Sequence, residues 1–235
     1  MTAEFSSTEI LDFKRLAAER AVDFINPGMV VGLGSGSTAE IAIDIIGKRI
    51  ITRKLANIVA IPTSKETERI AMRNGIPLST LNEHPDINLT IDGADEVDPN
   101  LNLIKGAGGA LFREKLVEEA SSSVIIIIDE TKLSDKLGRY HPVPVEVHPL
   151  AVRSVSDYVR NLGAKVVLRG DSDGNPYKTE QGNNIINCRF ETIEDPYNLA
   201  KILSTKPGVI EHGLFLDYTT MVIVGGKEGI RQLQR

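Results

Sequence analysis

The chain has 235 residues, a formal net charge of −5 and a pI near 5.5, so it lacks the broad positive field that nucleic acid or an anionic membrane selects. Its 41% hydrophobic and 25% charged residues are ordinary for a globular protein, and its length allows one large or two modest domains. Cys188, the single cysteine, excludes an internal disulfide; with no signal-like apolar block near the amino terminus and no membrane-length run, the expected setting is cytoplasmic.

Ser7-Thr8-Glu9-Ile10 opens an expected helix whose apolar stripe runs through Phe13, Leu16, Ala17 and Ala21 to Phe24, before Asn26-Pro27-Gly28 stops it. Lys14 stands on this helix. Met29 to Leu33 reads as a buried strand, followed by Gly34-Ser35-Gly36-Ser37-Thr38 and a helix through Ile41, Ile45 and Ile46. A strand, a glycine-serine loop and a helix start together offer unpaired amides, hydroxyls and the positive end of a helix dipole, which suits a phosphate. A dinucleotide fingerprint requires glycine where Ser37 stands, and the next strand, 57–61, ends in Pro62-Thr63-Ser64 with no acid to grip a ribose. No Gly-Lys-Ser/Thr follows, so a Walker loop is excluded as well.

Ser64 to Asn74 reads as a helix ended by Gly75, with a short strand expected at 77–81. The run 87–91 is a strand that breaks at Asp92-Gly93, leaving Asp92 and Asp95 on the strand tip, where open α/β sheets bind ligands. Lys105-Gly106-Ala107-Gly108-Gly109 then forms a loop whose missing side chains let amides approach an anionic oxygen. A helix starts at Ala110 and carries Glu114 about one turn in. A carboxylate, a lysine and a nest of amides match proton abstraction beside a carbonyl, where a base takes the proton and donors hold the resulting enediolate. The residues alone leave a plainer reading open, in which DGADE makes Asx-turns and Glu114 is an exposed helix residue.

Val124 to Ile128 is the clearest interior strand, closed by Asp129-Glu130 with Lys132 beyond. The segment His141-Pro142-Val143-Pro144 marks a domain crossing. After it the expected order is strand 143–147, helix 150–162, strand 164–168, strand 184–190, helix 195–204 and strand 209–215, a ferredoxin-like arrangement. Met221 to Val224 returns to the first sheet, and a short helix is expected after Gly225-Gly226. The stretch 171–176 imitates the start of a calcium loop, but Pro176 stands where glycine is needed and the closing glutamate is missing, so it reads as a hairpin turn. His84, His141, His148 and His212 lack paired ligand spacing, and no metal is expected; Cys188 reads as a small core residue.

GLGSGST at 32–38, DGADE at 92–96, KGAGGALFREK at 105–115 and DETK at 129–132 resemble, in order and spacing, the blocks of the type A ribose-5-phosphate isomerase family, over nearly the whole chain. Ser35 and Ala107 stand where that family more often has threonine and glycine; both keep the needed property, a hydroxyl or a small side chain. The resemblance implies an aldose–ketose isomerase acting on a pentose 5-phosphate without a cofactor. It assigns Glu114 as the base that moves a proton between C2 and C1, Lys105 and the Gly106–Gly109 amides as oxyanion donors, Asp92 to ring opening and Asp95 to a sugar hydroxyl. Gly93, Ala94, Gly106, Ala107 and Gly108 line the sugar, and Ser35, Gly36, Ser37, Thr38, Lys132 and Lys14 hold the phosphate.

The expected fold is thus α/β: a Rossmann-like open, mostly parallel sheet flanked by helices, formed by 1–140 and 213–235, with a smaller ferredoxin-like α+β domain inserted at 141–212. That inserted domain is expected to serve as a lid or in oligomerisation, giving a homodimer or tetramer. Two other readings are a non-catalytic sugar-phosphate effector domain and a CoA-transferase-like enzyme forming a thioester through Glu114. The first would need a basic helix-turn-helix, for which the residues before the first strand are too few; the second would need a larger acyl-carrier site.

Overall fold

The structure is a computed structural model that describes residues 5–234; the first four residues of the amino-terminal segment read above lie outside it. In chain order the elements begin with α1 (Ser7–Val22), β1 (Val30–Leu33), α2 (Ser37–Ile51), β2 (Val59–Pro62), α3 (Lys65–Arg73), β3 (Leu89–Asp92), β4 (Glu96–Val97) and β5 (Leu103–Ile104). They continue with α4 (Leu111–Glu119), β6 (Val124–Asp129), β7 (Val143–Val147), α5 (Val152–Asn161), β8 (Lys165–Leu168) and β9 (Asn184–Arg189). The last are α6 (Pro196–Ser204), β10 (Val209–His212), β11 (Leu214–Phe215), β12 (Met221–Gly226) and β13 (Gly229–Gln234). The chain forms two compact units, one from the stretch up to Ala94 with Arg113–Lys132 and Asp217 onward, the other from Asp95–Phe112 and Leu133–Leu216.

The first unit holds a six-stranded sheet in the order β13-β12-β6-β3-β1-β2. Every pairing is parallel except that of β13 with β12. Parallel strands are covered on both faces, which is why all six residues of β6 are buried and the run reads Val-Ile-Ile-Ile-Ile. On one face Val31, Leu33, Leu89, Ile91, Ile125, Ile127 and Ile223 form a core with Ala17, Ala21, Ile43 and Ile46 of α1 and α2. On the other, Ile61 and Ile87 pack with Val117 of α4. Gly225 lets α1 ride directly on β12, since a Cβ there would lie 1.9 Å from the Phe13 carbonyl oxygen. Ser6 caps α1 in a reciprocal box with Glu9, one residue before the expected start.

Two expected elements in this unit differ. The helix anticipated after Gly226 is the strand β13: Gly226 pairs with Gly229 across the short Lys227-Glu228 loop, Gly229 has a φ of +95°, and the chain turns back as a hairpin. The strand expected at 77–81 is a single bridge between Leu78 and Ala60, because Pro77 has no N–H to give a ladder and Thr80 begins a turn that binds the amides of Glu83 and His84.

The second unit holds a four-stranded antiparallel sheet in the order β10-β7-β9-β8, which with α5 and α6 is the ferredoxin-like arrangement expected from the sequence. Its core joins Val143, Val145, Ile186 and Cys188 to Val155, Val159 and Leu203. Burial pushes the Cys188 thiol up to about 12, as befits a small core residue. The expected helix at 150–162 opens with a separate 3₁₀ turn at Pro149–Ala151. The strand expected at 209–215 breaks at Gly213, so that β10 joins the four-stranded sheet while β11 pairs with β5 in a second, three-stranded sheet, β11-β5-β4. A Cβ on Gly213 would come within 2.3 Å of the Lys105 carbonyl oxygen, which is why the crossing needs glycine.

Candidate active site

In the first unit, β1, β2, β3, β6 and β12 run parallel and end at one edge of the sheet, where the segments after β1, β3 and β6 carry Ser35–Thr38, Gly93–Ala94 and Lys132. The loop after β1 is fixed from both sides. Gly34 donates its amide to the Ile91 oxygen at 2.9 Å, and the Ser35 amide donates to Asp92 Oδ1 at 3.0 Å. A Cβ on Gly34 would meet the Asp92 carboxyl at about 2.1 Å and its Cα at 2.5 Å, so the loop lies flat on the strand tip. Asp92 is fully buried, and its Oδ1 also accepts the Gly93 amide at 2.7 Å. Gly36, at a φ of +88°, is the N-cap of α2 and supplies no side-chain cap, so the first-turn amides from Ser37 and Thr38 remain for a ligand anion. Lys14 reaches this end of α2 and donates to Ser37 Oγ at 3.0 Å. Lys132, in a 3₁₀ turn just past β6, stands half-buried at the same sheet edge.

Two hydroxyl residues that the sequence reading passed over complete this loop. Ser35 Oγ shares hydrogen bonds with Thr63 Oγ1 at 2.7 Å and Thr67 Oγ1 at 3.2 Å. Those threonines donate in turn to the Leu33 oxygen at 3.0 Å and the Gly34 oxygen at 2.9 Å. Thr63 enters the sequence reading only as part of a strand end without an acid, and a cluster of hydroxyls, Thr63, Ser64 and Thr67, is the signal that marks this strand tip. Glu114, on α4, is buried at 6% exposure, in contrast to the exposed helix residue of the plainer reading. One turn further, Val117 packs where a Cβ on Gly32 would come within 2.7 Å of it, so a glycine in β1 lets α4 sit close to the sheet.

In the second unit Lys105 lies at the end of β5 and is buried to 2% exposure, with its amide donating to the Gly213 oxygen at 2.9 Å and its Nζ 5.4 Å from the centre of the Phe215 ring. Gly106 and Gly109 have φ values of +100° and +85°, so the loop after Lys105 takes a path open to glycine. Asp95 is tied to this loop: its amide donates to the Ile104 oxygen at 2.9 Å, and its Oδ2 accepts the Ala107 amide at 2.8 Å. Asp95, Ala107, His141, Arg169 and Asn187 line a cavity of about 200 Å³. Arg169 was not anticipated; an arginine directly after β8 and before the hairpin turn at 171–176 is a signal that only the fold makes meaningful. Burial draws its guanidinium down from its ordinary value while Tyr177 and Asp95 push it back up, and an arginine stays cationic under that balance.

Comparison with known proteins decides the family. Residues 59–229 match the family model described as ribose 5-phosphate isomerase A (phosphoriboisomerase A). A ribose-5-phosphate isomerase A from Desulfatibacillum aliphaticivorans is 51% identical over 94% of this chain and 96% of its own. The chain belongs to the ribose 5-phosphate isomerase A family. A probable chloroplastic ribose-5-phosphate isomerase 3 from Arabidopsis thaliana is 48% identical over 95% of this chain and 83% of its own. Among solved structures, a D-ribose-5-phosphate isomerase in complex with phospho-erythronic acid superposes with a TM-score of 0.95 at 41% identity, covering 96% of this chain and 99% of that one. The Methanocaldococcus jannaschii ribose 5-phosphate isomerase A gives 0.91 at 41% identity, covering 95% and 99%.

For a member of the ribose 5-phosphate isomerase A family, the chemistry available in each unit is distinct. The first unit gathers Lys14, Ser35, Gly36, Ser37 and Thr38 with buried Asp92 at one loop, a set that can hold an anion through amides, hydroxyls and one cation. The second gathers Asp95, Lys105, Gly106, Ala107 and Gly108, a set that can meet a developing oxyanion with a cation and amides. Among the described residues no cluster of three or more His, Cys, Asp or Glu is arranged to hold a metal ion, and no helix is long and apolar enough to cross a membrane.

Proposed function

We propose that this chain interconverts ribose 5-phosphate and ribulose 5-phosphate through an enediolate, as a step of the pentose phosphate pathway. The phosphate sits against the Ser35–Thr38 amides and hydroxyls with Lys14 and Lys132. Asp92 assists proton movement as the furanose opens. Glu114 takes the proton from C2 of the open aldose; the electron pair moves toward the carbonyl, and the C1 oxygen becomes the oxyanion. Lys105 and the glycine-loop amides stabilise that charge, with Asp95 and the neighbouring Gly93 and Ala94 orienting sugar hydroxyls. Glu114 then returns the proton to C1 as the C2 hydroxyl proton passes to the C1 oxyanion, and the ketose forms.

The observation that carries this reading is the buried carboxylate of Glu114, 6% exposed on α4, a helix that also buries Lys115 and Glu118. A carboxylate removed from water is the form of base that abstracts a carbon-bound proton near neutral pH. Phospho-erythronic acid, bound by one relative, is a four-carbon acid whose planar carboxylate matches the shape of an enediolate end, and we expect it to compete with substrate here. The proposal includes a cytoplasmic setting and a homo-oligomer, dimer or tetramer.

A coupled assay that follows ribulose 5-phosphate formation from ribose 5-phosphate tests the reading. The unaltered protein turns over, and Glu114→Gln lowers kcat by at least about 10²-fold with KM within about threefold, the range general base catalysis supplies. Near-normal turnover of Glu114→Gln would remove Glu114 from the mechanism.

A further inference from the structure

The loop at 105–109 is held in shape by side chains that arrive from sixty or more residues along the chain. Arg169 Nη1 donates to the carbonyl oxygens of Gly106 at 3.1 Å and Ala107 at 3.0 Å, while its Nη2 donates to Asn187 Oδ1 at 2.7 Å. The Tyr177 hydroxyl donates to the Gly108 oxygen at 3.4 Å, and its ring lies against Gly109, where a Cβ would come within 2.3 Å of that hydroxyl. The guanidinium itself stands 5.7 Å from the centre of the Tyr177 ring. Backbone anchors hold the clamp in turn, since the Arg169 amide donates to the Ile185 oxygen and the Tyr177 amide to the Arg169 oxygen, both at 2.8 Å.

A trans peptide is planar, with its C=O and N–H pointing in opposite directions. Pinning the oxygens of Gly106 and Ala107 on one side therefore aims the amides of Ala107 and Gly108 to the other. Asp95 takes the Ala107 amide, and the amide of Gly108 meets no protein acceptor among the described residues. A cation on the two carbonyls also polarises both peptides and makes their amides stronger donors. Lysine cannot replace this, because only a planar fork serves two carbonyls and Asn187 at once.

We propose that Arg169 is a positioning residue for the isomerisation, clamping the Gly106 and Ala107 carbonyls so that the Gly108 amide is presented to the enediolate oxygen. This rests on the isomerase reading. The guanidinium spends its hydrogen bonds on the loop carbonyls and Asn187, so its loss falls on the transition state and leaves phosphate recognition intact.

Steady-state kinetics and calorimetry on the full chain test it. Arg169→Ala lowers kcat by about 10²-fold, the scale of losing one oxyanion donor, with KM within about threefold. It weakens binding of phospho-erythronic acid while leaving inorganic phosphate affinity unchanged. Guanidinium at non-denaturing concentration restores at least about tenfold in Arg169→Ala and nothing in Glu114→Gln, because only the first lacks that donor fork. If Arg169→Ala does not fold, Arg169→Lys and Asn187→Ala carry the test, each with kcat down about tenfold at an unchanged melting temperature. Variants within threefold of the normal kcat overturn the inference, as does an equal loss of phosphate and sugar-acid binding without guanidinium rescue. An unaltered protein that shows no isomerase activity overturns the isomerase reading itself, and this inference with it.

Discussion

The two glycine loops reach the same end, amides open to an anion, by different means. The loop at 34–38 is shaped by its immediate neighbours in the fold: β1 delivers it, α2 begins from it, and the tips of β2 and β3 fix it through Thr63 and Asp92. The loop at 105–109 borrows its shape from Arg169 and Tyr177, which belong to a hairpin in the later half of the chain. Under the proposed function, a phosphate has the same charge and shape throughout catalysis, so a fixed cradle at a sheet edge would serve it. An oxyanion that exists only in passing needs donors aimed before it forms, which is what a clamped loop provides.

The contrast is broken most severely at Gly34. Gly34→Ala places a Cβ about 2.5 Å from the Asp92 Cα, and a backbone contact cannot be relieved by rotating a side chain. The expected cost is at least about 1–3 kcal/mol of stability, together with loss of phosphate affinity as Ser35 is displaced. Chemical denaturation with a parallel phosphate titration measures both, and a variant of normal stability and affinity would show that the loop is not pressed on the strand tip.

Lys132→Ala sharpens the same distinction with a smaller effect. A charge-assisted hydrogen bond to phosphate is worth about 1.5–3 kcal/mol, so KM rises about tenfold or more while kcat stays within about threefold. An unchanged KM would take Lys132 out of the phosphate site. The opposite split, kcat without KM, is what the clamp on the second loop predicts for Arg169.

These expectations also show what the sequence carries. The conformation of the loop at 34–38 was legible because strand, Gly-Ser run and helix follow one another, and local order is what periodicity and turn chemistry report. The buried sheet was legible for the same reason: a run such as Val124–Ile128 has few other places to go. The bracing of the second loop was not legible, because Arg169 meets Gly106 only once β8 and β9 have paired and no local pattern marks an arginine that will cap a distant carbonyl. Thr63 and Thr67 gave no signal as site residues because each is an ordinary residue in its own segment and gains meaning only beside Ser35. The final hairpin differs from the helix expected after Gly225-Gly226 because Gly226 and Gly229 are the two ends of a tight turn, which only the pairing of β12 with β13 makes visible.

The smallest effect lies away from both loops. Glu146 in β7 is wholly buried; its Oε1 accepts from Thr179 at 2.8 Å and Asn183 at 2.9 Å, and Oε2 has no hydrogen-bond partner among the described residues. Burial, with Glu211 nearby adding to it, holds its carboxyl above the ordinary range against the pull of Asn183 and Thr179. The folded protein thus binds this proton more tightly than the unfolded chain does. Its contribution is fully present below the unfolded carboxyl value and is lost as pH rises through the raised folded value. Glu146→Gln keeps the acceptor and removes the titration, so the decline of melting temperature over that window becomes shallower, with kcat unchanged. An identical pH profile for the two proteins would assign the decline to other groups.

The central claim is that Glu114 moves a carbon-bound proton through an enediolate, and proton exchange followed by NMR in heavy water tests it most directly. The unaltered protein is predicted to place solvent deuterium at C1 of ribulose 5-phosphate, and Glu114→Gln to lose that exchange in step with its turnover. Deuterium entering at the normal rate in Glu114→Gln would contradict the claim.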